Sequence, residues 1–423
     1  MSVRREGWDL AVLGNDRSAH EVAHEAASRG ASVILVLPGQ GHGQSTGSEQ
    51  VRVVVGMPRF VTGGVLEVVT STECYSVEAS TFVIGTGSSP RIPSSFLVDN
   101  RWVLDSMSFE RAAGSRSVAI VGGGRDGLAA ASLLATTGVE VTVFDRRHRL
   151  LEECDSELVD LLVSDLSRSG IGFRLGEDVF EASASLDGAS LVSSSGDVER
   201  FDRIVVAVGR RGNTEGLGLE CLDLPTDERG RIWCDDRFVT SVPGVRAVGS
   251  VIGHPAWLRQ SLDQGKRLAV DVLFSGDFSR GPAAAVTSSG TSPDIFQSGQ
   301  TTEDLLAAGA DFESGRVGWE PAARDTLKLL WTRRSGRVLG VHARGPGVAG
   351  SVGRVAAAMR RKMTIDKMLS QCGDDALLRA AATSPASSLP GRVASGPEIS
   401  PSLLSSEHAG RSLEETAFRI DRV

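Results

Sequence analysis

The 423-residue sequence predicts an α/β fold, because two segments show the same strand–helix–strand pattern. The clearer segment, here the second unit, runs from Ser117 to Asp145 and contains an apolar strand, a G-x-G-x-x-G turn, a helical stretch and a strand that ends in an acid. A weaker segment, the first unit, runs from Asp9 to Leu37. From about Ala283 a linker rich in Ser, Thr, Gly and Pro leads to a third region.

The composition narrows the class of protein. Apolar residues make up 41% of the chain and charged residues 23%, and the length suffices for two or three domains with their own cores. The net charge of −8 and the scattered basic residues argue against a nucleic-acid partner. No apolar stretch approaches the roughly 18 residues that cross a bilayer, and the N-terminus lacks the apolar core of a signal peptide. We therefore expect a cytoplasmic protein without a membrane partner.

The five cysteines lie far apart in the sequence, at Cys74, Cys154, Cys221, Cys234 and Cys372. None of them forms a C-x-x-C redox pair, and none has the spacing of metal ligands. The sequence therefore predicts reduced structural thiols, with neither a redox-active disulfide nor a metal site.

Shorter patterns predict the remaining elements. Predicted strands lie at 51–55, 65–69, 81–84, 203–208 and 244–249, the first three as a small antiparallel sheet. Predicted helices lie at 150–167, 256–274 and 348–362, and a hairpin joins 326–331 to 338–342. The glycine-rich stretch 38–47 and the residues after 384 predict loops, with a short helix near Glu414.

The glycines of the second unit predict a dinucleotide site. Gly122 permits the tight turn, Gly124 lets the backbone approach a pyrophosphate, and Gly127 allows the helix to pack closely on the strand. The N–H groups at the start of the helix then face the phosphates. Asp145 stands where a carboxylate accepts from the ribose 2′-hydroxyl of NAD. Three arginines follow at once and could accept a 2′-phosphate, so NADP stays open: Arg146, Arg147 and Arg149.

The first unit keeps only part of this pattern. Gly14 is present, but Asp16 stands at the second glycine position, Ala19 at the third and Leu37 in place of the acid. The charge of Asp16 would repel a diphosphate, and Leu37 cannot bond a ribose hydroxyl. Two nucleotide-binding segments in one chain are typical of an enzyme that passes a hydride between two cofactors. The damage to one of them raises the question of whether both cofactors are still bound.

Several motifs occur in the order of a known family. The chain resembles the pyridine nucleotide-disulfide oxidoreductase superfamily and, within it, the soluble (Si-specific) pyridine nucleotide transhydrogenases, in a shortened and partly degenerate form. The stretches that carry this resemblance are 82–90, 103–108, 117–151, 203–214, 246–255, 300–304 and 336–342.

The resemblance implies a fold of two Rossmann-like, three-layer ββα nucleotide-binding domains, the second inserted in the first, and an α+β C-terminal dimerisation domain. The implied FAD-type domain comprises 1–112 and 236–283, and the NAD(P)-binding domain comprises 113–235. The interface domain comprises 284–383, and a flexible tail 384–423 follows. The family further implies a homodimer.

The resemblance also implies a function. A transhydrogenase moves a hydride from NADPH to FAD and on to NAD, and it needs no redox disulfide. Gly209 would join the NAD(P) contacts. Four residues would line the FAD site, namely Gly14, Gly87, Gly249 and Ser250. No side chain is assigned as a catalytic acid, base or nucleophile.

Departures from the family pattern support an alternative. Ser250 replaces an Asp that holds the flavin, Ala129 replaces a common Glu, and the loop after Leu37 is short. The segment 380–387 carries neither an acid nor an imidazole. With Asp16, these losses fall mainly on the flavin side. The alternative is a catalytically inactive relative that binds NAD(P), or only dimerises, without FAD turnover.

The histidines offer no replacement for the missing groups. His20 lies in the first predicted helix, His254 beside the turn at Gly249, and His342 near a strand end. We expect each to lie on the surface or in a satisfied core position, with His254 nearest to the flavin.

Overall fold

The computed structural model describes residues 3–39, 51–62, 65–235, 237–254, 264–274, 286–319 and 323–384. Most of the predicted loop 38–47, the first part of the helix predicted at 256–274, and the tail with its helix near Glu414 lie outside these ranges. None of the helices within them is long and apolar enough to cross a membrane.

The first sheet is built around the strands of the first unit. Its members are β1 (Val3–Leu13), β2 (Val33–Pro38), β3 (Val51–Thr62), β4 (Val65–Val69), β5 (Cys74–Ile84) and β17 (Val245–Ala247). Strands β3, β2, β1, β5 and β17 pair in parallel, and β4 runs antiparallel to β3 and β5. Helices α1 (Arg17–Ser28) and α4 (Gln264–Phe274) pack against each other.

The small antiparallel sheet predicted in this part of the chain is only partly right. Residues 51–56 pair in parallel with β2, and residues 82–84 pair in parallel with β1 and β17. The antiparallel pairing instead uses 57–62 and 74–78 on either side of β4. Both β3 and β5 are longer than the sequence pattern indicated, and each changes partners along its length.

The second sheet contains the second unit and is entirely parallel. Its order is β10 (Ile171–Leu175), β9 (Glu140–Asp145), β8 (Ser117–Val121), β14 (Arg203–Val206) and β7 (Val103–Asp105). Helices α2 (Arg125–Thr136) and α3 (Ser156–Arg168) contribute to the apolar core on one face. On the other face an antiparallel meander packs through a separate apolar cluster; it comprises β11 (Val179–Ser185), β12 (Gly188–Ser193) and β13 (Val198–Phe201). These three layers confirm the predicted fold class.

Two details differ from the sequence expectations. Helix α3 begins at Ser156 rather than near Leu150, because Leu150 and Leu151 are buried in a turn and Leu151 has a φ of 43°. Strand β7 belongs to the second sheet although it precedes residue 113, the expected start of that domain. The chain then returns to the first sheet at β17.

Short elements join the two sheets. Strands β6 (Ser88–Pro90) and β15 (Arg210–Gly212) form an antiparallel pair, and β16 (Ile232–Trp233) and β18 (Ile252–His254) form a parallel pair. Short 3-10 helices lie at Phe109–Ala112, Leu219–Leu222 and Gly249–Val251.

The C-terminal region forms a third, antiparallel sheet. Its order is β19 (Thr287–Ser288), β20 (Ile295–Gly299), β23 (Val338–Arg344), β22 (Thr326–Thr332) and β21 (Phe312–Val317). Its helices are α5 (Thr302–Ala307), α6 (Ala349–Arg360), α7 (Ile365–Gln371) and α8 (Ala376–Thr383). The predicted hairpin is confirmed as β22–β23, and the helix predicted at 348–362 is confirmed as α6.

Buried charges attach this third sheet to the second unit. Lys328 on β22 is 2% exposed, and its Nζ lies 2.9 Å from Asp155 and 2.8 Å from Glu157 at the start of α3. Thr302 donates its hydroxyl to the fully buried Asp155 at 2.8 Å. Burial alone would raise the pKa of Asp155, but the nearby cations and the hydrogen bonds hold it below its usual range. The carboxylate therefore stays charged inside the protein.

His342 lies in the same buried cluster. Its side chain is fully buried on β23, and Nε2 contacts the carbonyl oxygen of Gln300 at 2.8 Å. Burial lowers the pKa of His342, while the charge of Asp155 partly opposes this shift. The expected core position is confirmed, but only Nε2 is satisfied, because the buried Nδ1 has no hydrogen-bond partner among the described residues.

We predict that Lys328→Met lowers the free energy of unfolding by about 3–5 kcal/mol, because Asp155 and Glu157 would lose the cation between them. The control is Arg333→Ala, since Arg333 is 58% exposed and pairs with Asp311 at the surface. Its cost should stay below about 1 kcal/mol. Urea denaturation measures both, and equal losses would contradict a special role of the buried lysine.

We also predict a pH dependence that originates from His342. Its ordinary pKa of 6.5 applies to the unfolded chain, and its folded pKa is lower. Below pH 6.5 the unfolded chain therefore binds more protons, and stability falls by up to about 1.4 kcal/mol per pH unit until the folded pKa is reached. His342→Gln should lose less stability than the wild type between about pH 7.5 and 5.5. Equal pH slopes for the wild type and His342→Gln, measured by urea denaturation, would contradict this origin.

Candidate functional site

The turn of the second unit has the tight geometry that its glycines predicted. Gly122 has a φ of 108°, and a Cβ there would lie 2.3 Å from the carbonyl oxygen of Ala207. A Cβ at Gly127 would lie 1.8 Å from the carbonyl oxygen of Gly122. These two positions therefore require glycine for the fold itself.

Gly124 is different, because its surroundings are open. It precedes α2 as the N-cap residue, and no side chain caps the helix there. A Cβ at Gly124 would meet no atom within 4 Å. Its φ of −78° suits any residue, so neither packing nor backbone strain requires glycine here. The first N–H groups of α2 thus have no side-chain cap, and the position beside Gly124 is open, which is the arrangement that binds phosphate.

Asp145 is already engaged within the chain. It is 6% exposed and accepts hydrogen bonds from the N–H of Gly123 at 2.7 Å and from Nε of Arg147 at 3.0 Å. Burial would raise the pKa of Asp145, but these bonds outweigh it and place the pKa below the usual range. Asp145 therefore organises the glycine turn, and its contact with a ribose stays a prediction. Arg146 is exposed beside it.

Arg210 connects this turn to the rest of the molecule, and the sequence pattern did not single it out. Its Nε donates to Oγ of Ser88 at 2.7 Å, and its NH1 lies 3.5 Å from Oδ2 of Asp126 in the first turn of α2. Gly209 precedes it with a φ of 108°. The predicted contact residue Gly209 therefore lies where segments of both sheets meet.

In the first unit, Asp16 lies at the start of α1 with its carboxylate turned inward. Oδ1 accepts from the N–H of Ser18 at 3.0 Å. Oδ2 accepts from the N–H of Ser250 at 3.2 Å and from its hydroxyl at 3.0 Å. One carboxylate thus joins the N-terminus of α1 to the turn after β17.

The glycines predicted to line a flavin surround this carboxylate. A Cβ at Gly249 would lie 2.7 Å from Cγ of Asp16, and a Cβ at Gly87 would lie 3.6 Å from Oδ2. Gly14 closes the turn, since a Cβ there would lie 2.0 Å from the carbonyl oxygen of Gly85. We call Asp16, Ser18, Gly87, Gly249 and Ser250 the Asp16 cluster. The structure brings three of the four predicted residues, Gly87, Gly249 and Ser250, together around Asp16, and the fourth, Gly14, packs on Gly85.

The pyridine nucleotide-disulphide oxidoreductase family matches residues 40–265. The chain belongs to this family. Soluble pyridine nucleotide transhydrogenase from Photobacterium profundum is 34% identical over 303 residues, covering 69% of this chain and 64% of the relative. The Colwellia psychrerythraea enzyme of the same name is 32% identical and covers 64% of this chain and 60% of the relative. The chain thus spans less than two thirds of the length of these relatives.

Two solved structures share the fold of this chain. LpdA from Mycobacterium tuberculosis matches with a TM-score of 0.76 and 17% identity, over 90% of this chain and 98% of that one. The HOCl-induced flavoprotein disulfide reductase RclA from Escherichia coli, as its Cu(II) complex, matches with a TM-score of 0.71 and 18% identity. That match covers 85% of this chain and 94% of the RclA chain. Both likenesses support the two-unit architecture described above.

The residues of the first unit do not fit the FAD that this family implies. The N–H of Ser18 and both donors of Ser250 already bond to Asp16, and the N–H of Gly249 donates to Oε1 of Gln264 at 2.7 Å. A diphosphate placed here would meet a carboxylate instead of free donors. Leu37, at the end of β2, offers no acceptor to a ribose.

The other candidate groups do not converge on either turn. Nε2 of His20 contacts Oδ1 of Asn15 at 2.8 Å, and the side chain of His254 lies outside the described residues. None of the five cysteines forms a disulfide bond within the described residues, and burial raises the pKa of Cys154 to about 12. Among the described residues no group of His, Cys, Asp and Glu could hold a metal ion.

Ala129, which stands in place of a common Glu of the family, faces Gly290, since a Cβ on that glycine would lie 3.7 Å from the Cβ of Ala129.

Proposed function

We propose that this family member binds a nicotinamide dinucleotide in its second unit and has no flavin-dependent turnover. The observation that carries the proposal is the contrast at equivalent positions of the two turns. Gly124 leaves the N-terminus of α2 uncapped and open, whereas Asp16 caps α1 with its own carboxylate. Among the described residues, the start of α2 therefore presents its N–H groups without a competing carboxylate, and this supports a diphosphate site in the second unit.

The chain's own residues suggest how the dinucleotide would be held. The N–H groups at the start of α2 would receive the diphosphate, with Gly124 allowing close approach. Asp145 keeps the turn in place through Gly123, and Arg147 neutralises its charge. Arg146 remains exposed to meet the ribose or its 2′-phosphate. The bound nicotinamide would supply a hydride donor or acceptor, and the described residues suggest no acid or base beside it.

Hydride transfer from NADPH through FAD to NAD is the second candidate function. The observation in its favour is the similarity to proteins named soluble pyridine nucleotide transhydrogenase. This activity requires FAD in the first unit, and the contacts of Asp16 oppose it. Reduction of an NAD analogue by NADPH in the presence of added FAD would favour this candidate over ours.

We also propose a domain assignment, an oligomeric state and a location for this protein. The described residues 286–384 contain a separate apolar core, which supports treating the C-terminal region as its own domain. We propose that it forms a homodimer, as the family resemblance implies, and that the protein works in the cytoplasm. Analytical ultracentrifugation of the full chain tests the oligomeric state.

We predict that Gly124→Val weakens the binding of NADH and NADPH at least about 10-fold, because its side chain would project into the path of the diphosphate. The thermal midpoint should change little, since the φ of −78° suits valine. Isothermal titration calorimetry measures the affinities. Leu133→Ala, on the exposed side of α2, is the control and should bind like the wild type. A wild-type protein that binds neither nucleotide would contradict the proposed function.

We predict that Arg146→Gln weakens NADPH binding about 10-fold and changes NADH binding less than about 2-fold, because a charge-assisted hydrogen bond is worth roughly 1.5–3 kcal/mol. Arg147 is bonded to Asp145, so Arg146 is the exposed cation at this strand end. Equal losses for both nucleotides would show that Arg146 does not contact the 2′-phosphate.

A further inference from the structure

We infer that Asp16 replaces the diphosphate of a flavin dinucleotide and thereby closes the first unit to FAD. The inference rests on the part of the proposed function that excludes flavin turnover, and it is independent of the proposed NAD(P) site, which lies at the other turn. Its starting point is the position of the carboxylate at the N-terminus of α1, between that helix and Ser250. A phosphate group in a Rossmann-like unit uses the same location and the same kinds of donor.

The hydrogen bonds of Asp16 imitate those of a bound anion. A helix N-terminus favours a negative charge because its first N–H groups are unpaired and the helix dipole is positive there. In the first unit this charge comes from Asp16, which accepts from the N–H of Ser18. The second oxygen accepts from two donors of Ser250. Asp16 thus links two segments that are 234 residues apart in the sequence.

The surroundings of Asp16 still show features of a ligand site. Gly87 and Gly249 both face the carboxylate, and a Cβ at Gly249 would collide with it. Beside Gly87, the buried hydroxyl of Thr86 has no hydrogen-bond partner among the described residues. An unpaired buried hydroxyl is costly, and a ligand is one way to satisfy it. The glycines of a ligand site are therefore preserved around this position, and the carboxylate of Asp16 occupies its centre.

The second unit provides an internal comparison. Both turns follow a parallel strand and lead into a helix of 12 residues. Gly124 occupies the position that corresponds to Asp16, and its helix has no side-chain cap. At the N-terminus of the helix the same architecture is thus open in the second unit, whereas the carboxylate of Asp16 closes it in the first.

The test is to remove the side chain and titrate with FAD. Asp16→Gly frees the donors of Ser18 and Ser250, so we expect it to bind FAD at least about 10-fold more tightly than the wild type. Quenching of flavin fluorescence measures the affinity, and FAD should raise the thermal midpoint of the variant only. Arg17→Ala is the control, because Arg17 is 89% exposed next to Asp16, and it should behave like the wild type.

Two further measurements keep the outcome clear. Each FAD titration is repeated with Gly124→Val in the background, so that binding of FAD to the second unit is not mistaken for binding to the first. If Asp16→Gly does not fold, Asp16→Asn removes the charge at nearly unchanged size and should bind FAD more tightly than the wild type. A wild-type protein purified with bound flavin would overturn the inference. So would a folded Asp16→Gly protein whose FAD affinity equals that of the wild type.

Discussion

Each strand–helix turn in this molecule must satisfy the unpaired N–H groups at the start of a helix, and the two units meet this requirement differently. In the first unit the carboxylate of Asp16 accepts from Ser18 and also holds Ser250. In the second unit Gly124 leaves the donors of α2 open. The positive end of a helix attracts anions. The carboxylate of Asp16 supplies this negative charge at the N-terminus of α1, whereas the N-terminus of α2 remains available to a phosphate.

Charged side chains hold the C-terminal sheet against the second unit. Lys328 lies between Asp155 and Glu157 at the start of α3, so the antiparallel sheet is attached to the second helix of the second unit, the one that follows β9. Arg125, within that turn, contacts Glu153 and donates to the carbonyl oxygen of Ser288 on β19. The candidate NAD(P) turn is thus connected to the C-terminal region through Arg125.

Local patterns predicted the parts of the fold that depend on neighbours in the chain. The glycines at 122 and 127, the hairpin β22–β23 and helix α6 all follow from turn geometry or from regular spacing of apolar residues. The start of α3 was wrong because Leu150 is apolar for packing in a turn, which spacing cannot distinguish from a helix. The antiparallel pairing of 51–55 was wrong because a strand's partner depends on distant segments.

The sequence by itself determined that one chain holds two nucleotide-type units, that the second keeps its glycines, and that Asp16 carries a charge where a glycine is expected. Only the tertiary structure decided which groups the carboxylate of Asp16 contacts. Ser250 and Asp16 are 234 residues apart, so no local pattern could show that they form a hydrogen bond. The structure likewise showed that Asp145 is engaged by Arg147 and that Lys328 is buried, because both depend on how folded segments exclude water and supply partners.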